Sequence, residues 1–163
     1  MNASVTAKTV LVISLMCLAG WLGYRAVRET SGVSEKAFFY DLSQKKLFAA
    51  SRTLVPPVRG VDGPEEDAVR AVVISTTGRP EDKGSRQIAY LEKYSPELKR
   101  QIEVAQAVGS SPPMGRAMAQ EHRFVRRLQD TQWHPLSTAE GEKIVSEWAT
   151  PGPDGVTPAV VSP

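Results

Sequence analysis

The sequence predicts an α+β fold with three parts: an N-terminal single transmembrane helix, a small sheet with packed helices, and a disordered C-terminal tail. The sheet is expected to be a β-hairpin plus one further strand. Three observations predict this fold: an uncharged apolar run at residues 9–24, strand-like segments at 37–50 and 69–75, and amphipathic periodicity after residue 86. The 163 residues are 41% hydrophobic and 23% charged, which suits one domain with its own core.

These patterns also predict the boundaries along the chain. The expected parts are a membrane anchor at 1–26, a linker at 27–36, an α+β core at 37–108, a helical extension at 109–150 and a disordered tail at 151–163.

The N-terminal run is interpreted as an uncleaved, single-pass membrane anchor. It lies between Lys8 and Arg25, and Trp21 and Tyr24 stand at its C-terminal end, where amphipathic rings favour the headgroup level. A cleaved signal peptide and a buried core helix are the alternatives. A single N-terminal anchor usually exports the rest of its chain, so the body is expected to be extracytoplasmic. The lipid bilayer is then the expected partner of residues 9–24.

Charge and cysteine content exclude several classes of protein. The 20 Lys and Arg side chains and 18 Asp and Glu side chains give a net charge of +2, so nucleic acid is not an expected partner. The one cysteine, Cys17, lies in the apolar run. The rest of the chain therefore has no thiol for a disulfide framework, a zinc site or a cysteine nucleophile.

The body begins with a predicted β-hairpin at residues 37–50, where Asp41 and Ser43 can hold the turn. Residues 51–68 are rich in proline and glycine and predict a loop with a solvated acidic end, and residues 69–75 predict a β-branched strand. The loop at 77–85 resembles a phosphate-binding loop only in composition. Its lysine precedes the second glycine instead of following it, which excludes that interpretation.

Amphipathic periodicity predicts helices in the second half of the chain. Residues 86–108 are expected to be helical with a break at Ser95, which suits an N-cap because Pro96 fits the first helical position. A second helix is predicted over 114–129. A third, short helix is expected after a capping box formed by Ser137 and Glu140.

Four arginines of the helix predicted at 114–129 form the candidate contact site. They would face anionic lipid headgroups or an acidic protein partner, and a solvated helix face is the alternative. The four are Arg116, Arg123, Arg126 and Arg127.

One resemblance to known proteins rests on AFFYDLSQKKLFAA at 37–50, two prolines at 56–57, VRAVVIS at 69–75 and IAYLEKYSPE at 88–97. This pattern resembles a group of small uncharacterised bacterial proteins with one N-terminal anchor and a YDL…LF…PP…VRA core. The resemblance implies the same anchored architecture, and it implies no activity and no site.

No catalytic, cofactor-binding or metal-ligating residues are predicted. His122 and His134 lack a partner at metal-ligand spacing, and the sequence contains no nucleophile elbow. The sequence therefore predicts a single-pass protein whose exposed domain binds or scaffolds another envelope protein. The alternative is an anchored enzyme whose acid–base site no motif reveals, and a pocket with two or more convergent titratable groups would favour it.

Overall fold

A computed structural model describes residues 34–163 together with Met16, Gly20 and Trp21. The chain divides into two units, Met1–Ser34 and Glu35–Pro163. In the first unit Met16, Gly20 and Trp21 are helical. The second unit is an α+β body built on one antiparallel sheet of seven strands.

The second unit contains seven strands, three α-helices and two 3₁₀ turns. The strands are β1 (Lys36–Asp41), β2 (Lys46–Ser51), β3 (Ala68–Ser75), β4 (Arg86–Tyr94), β5 (Arg123–Arg126), β6 (His134–Pro135) and β7 (Ala159–Val161). The helices are α1 (Pro96–Ala107), α2 (Arg116–Glu121) and α3 (Ala139–Ser146), with 3₁₀ turns at Lys83–Ser85 and Glu147–Ala149.

The strand order is β2-β1-β3-β4-β5-β6, and β7 also pairs with β3. β1 pairs with residues 68–70 of β3, and β7 pairs with residues 73–75. β4 pairs with β3 over residues 70–75. Because a strand has two edges, β1 and β7 share one edge of β3 and β4 occupies the other.

Alternation along the strands divides the buried side chains between the two faces of the sheet. Val69, Ala71 and Leu91 belong to one cluster of buried apolar residues. Phe39 and Val125 are fully buried on the opposite face. They are in register with Arg70 and Glu92, which directly adjoin members of that cluster along β3 and β4 and therefore point the other way. Both faces of the central strands are therefore covered.

The predicted hairpin is confirmed, because β1 and β2 pair antiparallel from Lys36↔Ser51 to Asp41↔Lys46. Asp41 holds the turn as expected. Its buried carboxylate accepts hydrogen bonds from the Ser43 hydroxyl at 2.9 Å and from the Gln44 amide at 2.8 Å. It also accepts from the Val61 amide at 2.8 Å. The backbone bonds, Gln44 first, hold the pKa of Asp41 below its usual value.

The predicted fold class is wrong in its sheet and in its membrane helix. The sheet contains seven antiparallel strands instead of a hairpin and one strand. No helix among the described residues is long and apolar enough to cross a bilayer, which corrects the transmembrane anchor and the single-pass assignment. The rest of the predicted anchor at 1–26 and most of the linker at 27–36 lie outside the described residues.

The helix predicted over 86–108 is wrong in its first half. Residues 86–94 form β4, and only the part after Ser95 is helical. Ser95 caps α1 as expected, since its hydroxyl accepts the Leu98 amide at 3.2 Å. β4 lies between β3 and β5 and packs on both faces, so its apolar residues do not alternate in the simple pattern of a half-buried strand.

The helix predicted over 114–129 and the disordered tail are also wrong. α2 ends at Glu121, and Phe124 and Val125 enter the sheet beside β4, because aromatic and β-branched residues suit a paired strand. In the tail, residues 159–161 complete the edge of β3. The last helix is capped by Thr138, whose hydroxyl accepts the Gly141 amide at 3.1 Å, and not by Ser137.

Candidate anion-binding pocket

The structure separates the four arginines that were predicted to lie on one helix face. Arg116 begins α2, Arg123 and Arg126 belong to β5, and Arg127 directly follows that strand. Residues 123 and 126 point to opposite faces of the sheet because side chains alternate along a strand. The predicted common surface therefore does not form, and each arginine has its own surroundings.

Arg127 ties the last helix to the end of β5. Its guanidinium lies 3.3 Å from the carboxylate of Asp130, 2.9 Å from Glu140 and 2.5 Å from Glu147. Hydrogen bonds to Glu147 and Glu140 hold the pKa of Arg127 above its ordinary value. With three carboxylates around it, this side chain is engaged inside the molecule.

Arg123 neutralises the buried carboxylate of Glu92. Its Nε and Nη2 donate to the two carboxylate oxygens at 3.2 and 2.8 Å, which is the bidentate geometry of a strong ion pair. Tyr94 lies beside this pair, and burial together with the negative charge of Glu92 raises the pKa of Tyr94 to about 12. Arg123 is therefore also used within the fold.

Arg126 has different surroundings on the other face of the sheet. Its guanidinium carbon lies 4.9 Å from the centroid of the Trp133 ring, and the ammonium of Lys93 lies 4.5 Å from the same centroid. Phe124 is the register partner of Lys93, so it shares this face. Nη1 of Arg126 donates to the Asp130 carbonyl, and its Nε is buried without a partner.

The positive charges of Lys93 and Arg126 have no carboxylate within ion-pair distance in the part of the chain that the structure describes. Burial, and then the positive charge of Arg126, lower the pKa of Lys93. Two cations thus meet on one aromatic ring where water is partly excluded. An anion bound here would favour the charged form of Lys93.

A surface pocket of about 290 Å³ opens beside this ring. Its walls are Lys93, Tyr94, Ser95, Pro96, Phe124 and Trp133. The N-terminus of α1 also begins at this wall, and the positive end of a helix dipole favours negative charge. A larger depression of about 530 Å³ elsewhere is lined mostly by threonine, glycine and proline, with Asp154 as its one charged side chain.

Ser95, which lines the pocket, pairs with His122, and this pair bears on the enzyme alternative. The hydroxyl of Ser95 lies 2.8 Å from Nδ1 of His122, and the Ser95 amide donates to the His122 carbonyl at 2.8 Å. The same hydroxyl accepts the Leu98 amide as the N-cap of α1. These contacts fix the corner between β4 and α1, which is a structural role. Among the described residues no group of three His, Cys, Asp or Glu side chains could hold a metal ion.

Of the two cations that contact the Trp133 ring, only Arg126 is predicted from the sequence as part of a contact site. Lys93 and Trp133 are missed because residues 86–94 are assigned to a helix and Trp133 to a connecting segment. Reading RQIAYLEKY as a strand would have placed Leu91 and Lys93 on one face. Even then, the contact with residue 133 depends on the pairing of β4 with β5.

Comparison with known protein families, with curated protein sequences and with solved structures finds no match. The resemblance seen in the sequence therefore stays a prediction.

Proposed function

We propose that the body of this protein is a binding module that takes a negatively charged group of its partner at Lys93 and Arg126, the two cations that contact the Trp133 ring. One observation carries the proposal: two cations are held against a single tryptophan ring, and neither has a carboxylate within ion-pair distance in the described structure. Sites that concentrate uncompensated charge in a partly buried cleft are typical of ligand recognition.

The energy of this arrangement supports the proposal. Both charges lie within 5 Å of one ring centroid, and therefore within about 10 Å of each other. At an effective dielectric constant of about 20, two like charges at ~10 Å repel by ~2 kcal/mol. Contact with the ring offsets ~0.5–1 kcal/mol for each cation, or ~1–2 kcal/mol for the two together. A bound anion would attract both cations and so compensate their mutual repulsion.

The proposal narrows the predicted site to Arg126. Arg123 and Arg127 are committed to ion pairs within the body. Arg116 is exposed on α2, and the described structure gives it neither a contact with the Trp133 ring nor an ion pair. This makes Arg116 a matched control for the removal of one arginine charge.

The test follows the Trp133 indole N–H by NMR in the full chain while chloride is replaced by acetate or by inorganic phosphate at constant ionic strength. We expect the signal to shift with the added anion, and the shift to fall at least fivefold in Lys93→Gln and in Arg126→Gln. The control Arg116→Gln should behave as the wild type. An indole signal that no anion moves, or that moves equally in the Lys93→Gln protein, would refute the proposed function.

A further inference from the structure

We propose that the free edge of β2 binds an extended segment of a partner protein, which joins the sheet as an eighth, antiparallel strand with an apolar middle and acidic ends. β1 and β3 separate this edge from β4, the strand that carries Lys93, so the inference does not rest on the proposed function. It is derived from the length of the edge, from the direction of its backbone groups and from the charges at its two ends.

β2 is an uninterrupted edge strand. It stands first in the strand order, and among the described residues it pairs with β1 alone, through six consecutive register pairs without a bulge or a proline. The opposite end of the sheet is β6, which has two residues and includes Pro135, and the side branch β7 has three. Natural sheets usually shorten or interrupt their edges to prevent other strands from binding. β2 is the longest of these three edges.

The backbone groups of β2 alternate between β1 and the free edge. The Arg52 amide donates to the Glu35 carbonyl at 2.9 Å, so these two residues form a hydrogen-bonded pair just beyond the strand. Every second residue before Arg52 therefore bonds to β1, and the residues between them point outward. The outward residues are Leu47, Ala49 and Ser51. The Ser51 carbonyl accepts the Leu54 amide at 3.2 Å, which leaves the Ser51 amide and both backbone groups of Leu47 and Ala49 open to a new strand.

The side chains along the middle of this edge are apolar and accessible. Leu47 is 39% exposed and Ala49 is exposed, so no described loop covers the edge. Phe48 is half-buried against Phe39, with ring centroids 5.9 Å apart. A strand added here would meet Leu47 and Ala49 on one face of the sheet and Phe48 on the other. Apolar, β-branched residues in the middle of the partner segment would make favourable cross-strand pairs with them.

Both ends of the edge are basic. Lys46 begins β2 and Arg52 follows it, and both are exposed without a carboxylate within ion-pair distance in the described structure. Opposite charges across two strands stabilise the pair, whereas like charges destabilise it. Acidic residues at both ends of the incoming strand would therefore complement Lys46 and Arg52.

The same charges disfavour a second copy of this chain as the occupant. The antiparallel register that pairs every outward residue places residue 49 opposite itself and residue 47 opposite residue 51. In that register Lys46 of each copy lies opposite Arg52 of the other, so like charges meet at both ends. The edge thus favours an acidic partner over self-association.

The experiment titrates a capped heptapeptide, Glu-Ser-Val-Thr-Val-Ser-Glu, into the full chain and measures binding by calorimetry. Its two acids fall opposite Lys46 and Arg52, and its central threonine falls opposite Ala49 with its amide directed at β2. We expect N-methylation of that threonine to weaken binding at least about tenfold, because it removes a hydrogen bond and adds a methyl group in the ladder. N-methylation of a neighbouring valine, whose amide points away from β2, should change the affinity less than about twofold.

Variants of the protein test the edge and its charges separately. Ala49→Pro removes a donor that points only outward, a position that edge strands tolerate, so we expect binding to be lost while the melting temperature is kept. Lys46→Glu should weaken the peptide at least about tenfold and should favour a peptide with lysine at both ends. Lys83→Glu, at an exposed lysine in the loop between β3 and β4, is the matched control and should bind as the wild type.

Each contrary result overturns a stated part of the inference. Equal weakening by the two N-methylated peptides refutes strand addition, and this comparison decides even if Ala49→Pro lowers the melting temperature. Wild-type affinity in Lys46→Glu refutes the acidic partner. A dimer in sedimentation velocity that Ala49→Pro converts to a monomer would show a second copy at the edge, and would also refute the acidic partner. Absence of any binding by the heptapeptide refutes the inference as a whole.

Discussion

We predict that removing the charge of Arg123 destabilises the protein more than removing the charge of Glu92, its partner in an ion pair. Glu92 lies in the middle of the sheet, in register with Arg70 on one side and Val125 on the other. Only 4% of its side chain is exposed, against 38% for Arg123. The same interaction therefore joins a buried anion to a cation that water can reach.

The exposed fractions of the two side chains determine how much stability each substitution should cost. Arg123→Gln leaves a carboxylate buried without its partner, a situation that typically costs ~3–5 kcal/mol. Glu92→Gln leaves a guanidinium that water can solvate in part, and the new amide oxygen can still accept a hydrogen bond. We therefore expect a loss of about 1–3 kcal/mol for Glu92→Gln, as for one net hydrogen bond to a charged group.

The assay is urea unfolding of the full chain at pH 7 and 25 °C, followed by far-UV circular dichroism. Arg100→Gln is the control, because Arg100 pairs with Glu97 at the surface and 71% of its side chain is exposed. It should change the free energy of unfolding by less than ~1 kcal/mol. If Glu92→Gln destabilises the protein as much as Arg123→Gln, burial of the carboxylate does not set the cost and the reasoning fails.

Four other properties of the protein can be predicted from the same structure. Phe39→Ala should lower the free energy of unfolding by ~3–5 kcal/mol, because Phe39 is fully buried. Phe48→Ala, at its half-buried stacking partner, should cost clearly less, and equal losses would contradict this order. Stability should fall as pH rises from 10 to about 12, because the Tyr94 phenol ionises at a lower pH in the unfolded chain than in the folded protein. In Tyr94→Phe the loss of stability over this range, measured by melting at several pH values, should be smaller by on the order of 2 kcal/mol. The shift of the Trp133 indole signal on addition of acetate should shrink as pH rises, and at a lower pH than for an ordinary lysine, because the pKa of Lys93 is lowered and the neutral amine no longer attracts the anion; the Lys93→Arg protein should keep the shift to higher pH in the same titration. Val161→Asp should destabilise the protein by at least ~2 kcal/mol in urea unfolding, because it places a charge in the buried cluster on β3; a wild-type midpoint would show that β7 is dispensable.

The parts of the fold that were predicted correctly have local signals. Residues 37–50 carry aromatic and apolar segments on either side of a polar turn, and Asp41 supplies the turn's hydrogen bonds from within the hairpin itself. Residues 95–107 carry a cap, a proline and a periodic apolar face within four turns of helix. In both cases the residues that decide the structure lie close together in the chain.

The parts that were missed depend on pairing between distant residues. β4 is a strand because β3 and β5 flank it, although its own residues also suit a helix. The pocket forms only when that pairing places Lys93 beside Arg126 and a later loop brings Trp133 onto both. The sequence points to Arg126 through its charge on a predicted helix, whereas the surroundings of Arg126 come from the sheet.

The position of β7 has a consequence for how the protein is made. β3 and β4 can pair as soon as residue 94 has left the ribosome, but the edge of β3 at 73–75 has no partner until residues 159–161 emerge. At ~5–20 residues per second, a nascent chain would carry this unpaired apolar edge for several seconds. During translation that edge is open to other strands, and chaperones would have a defined segment to shield.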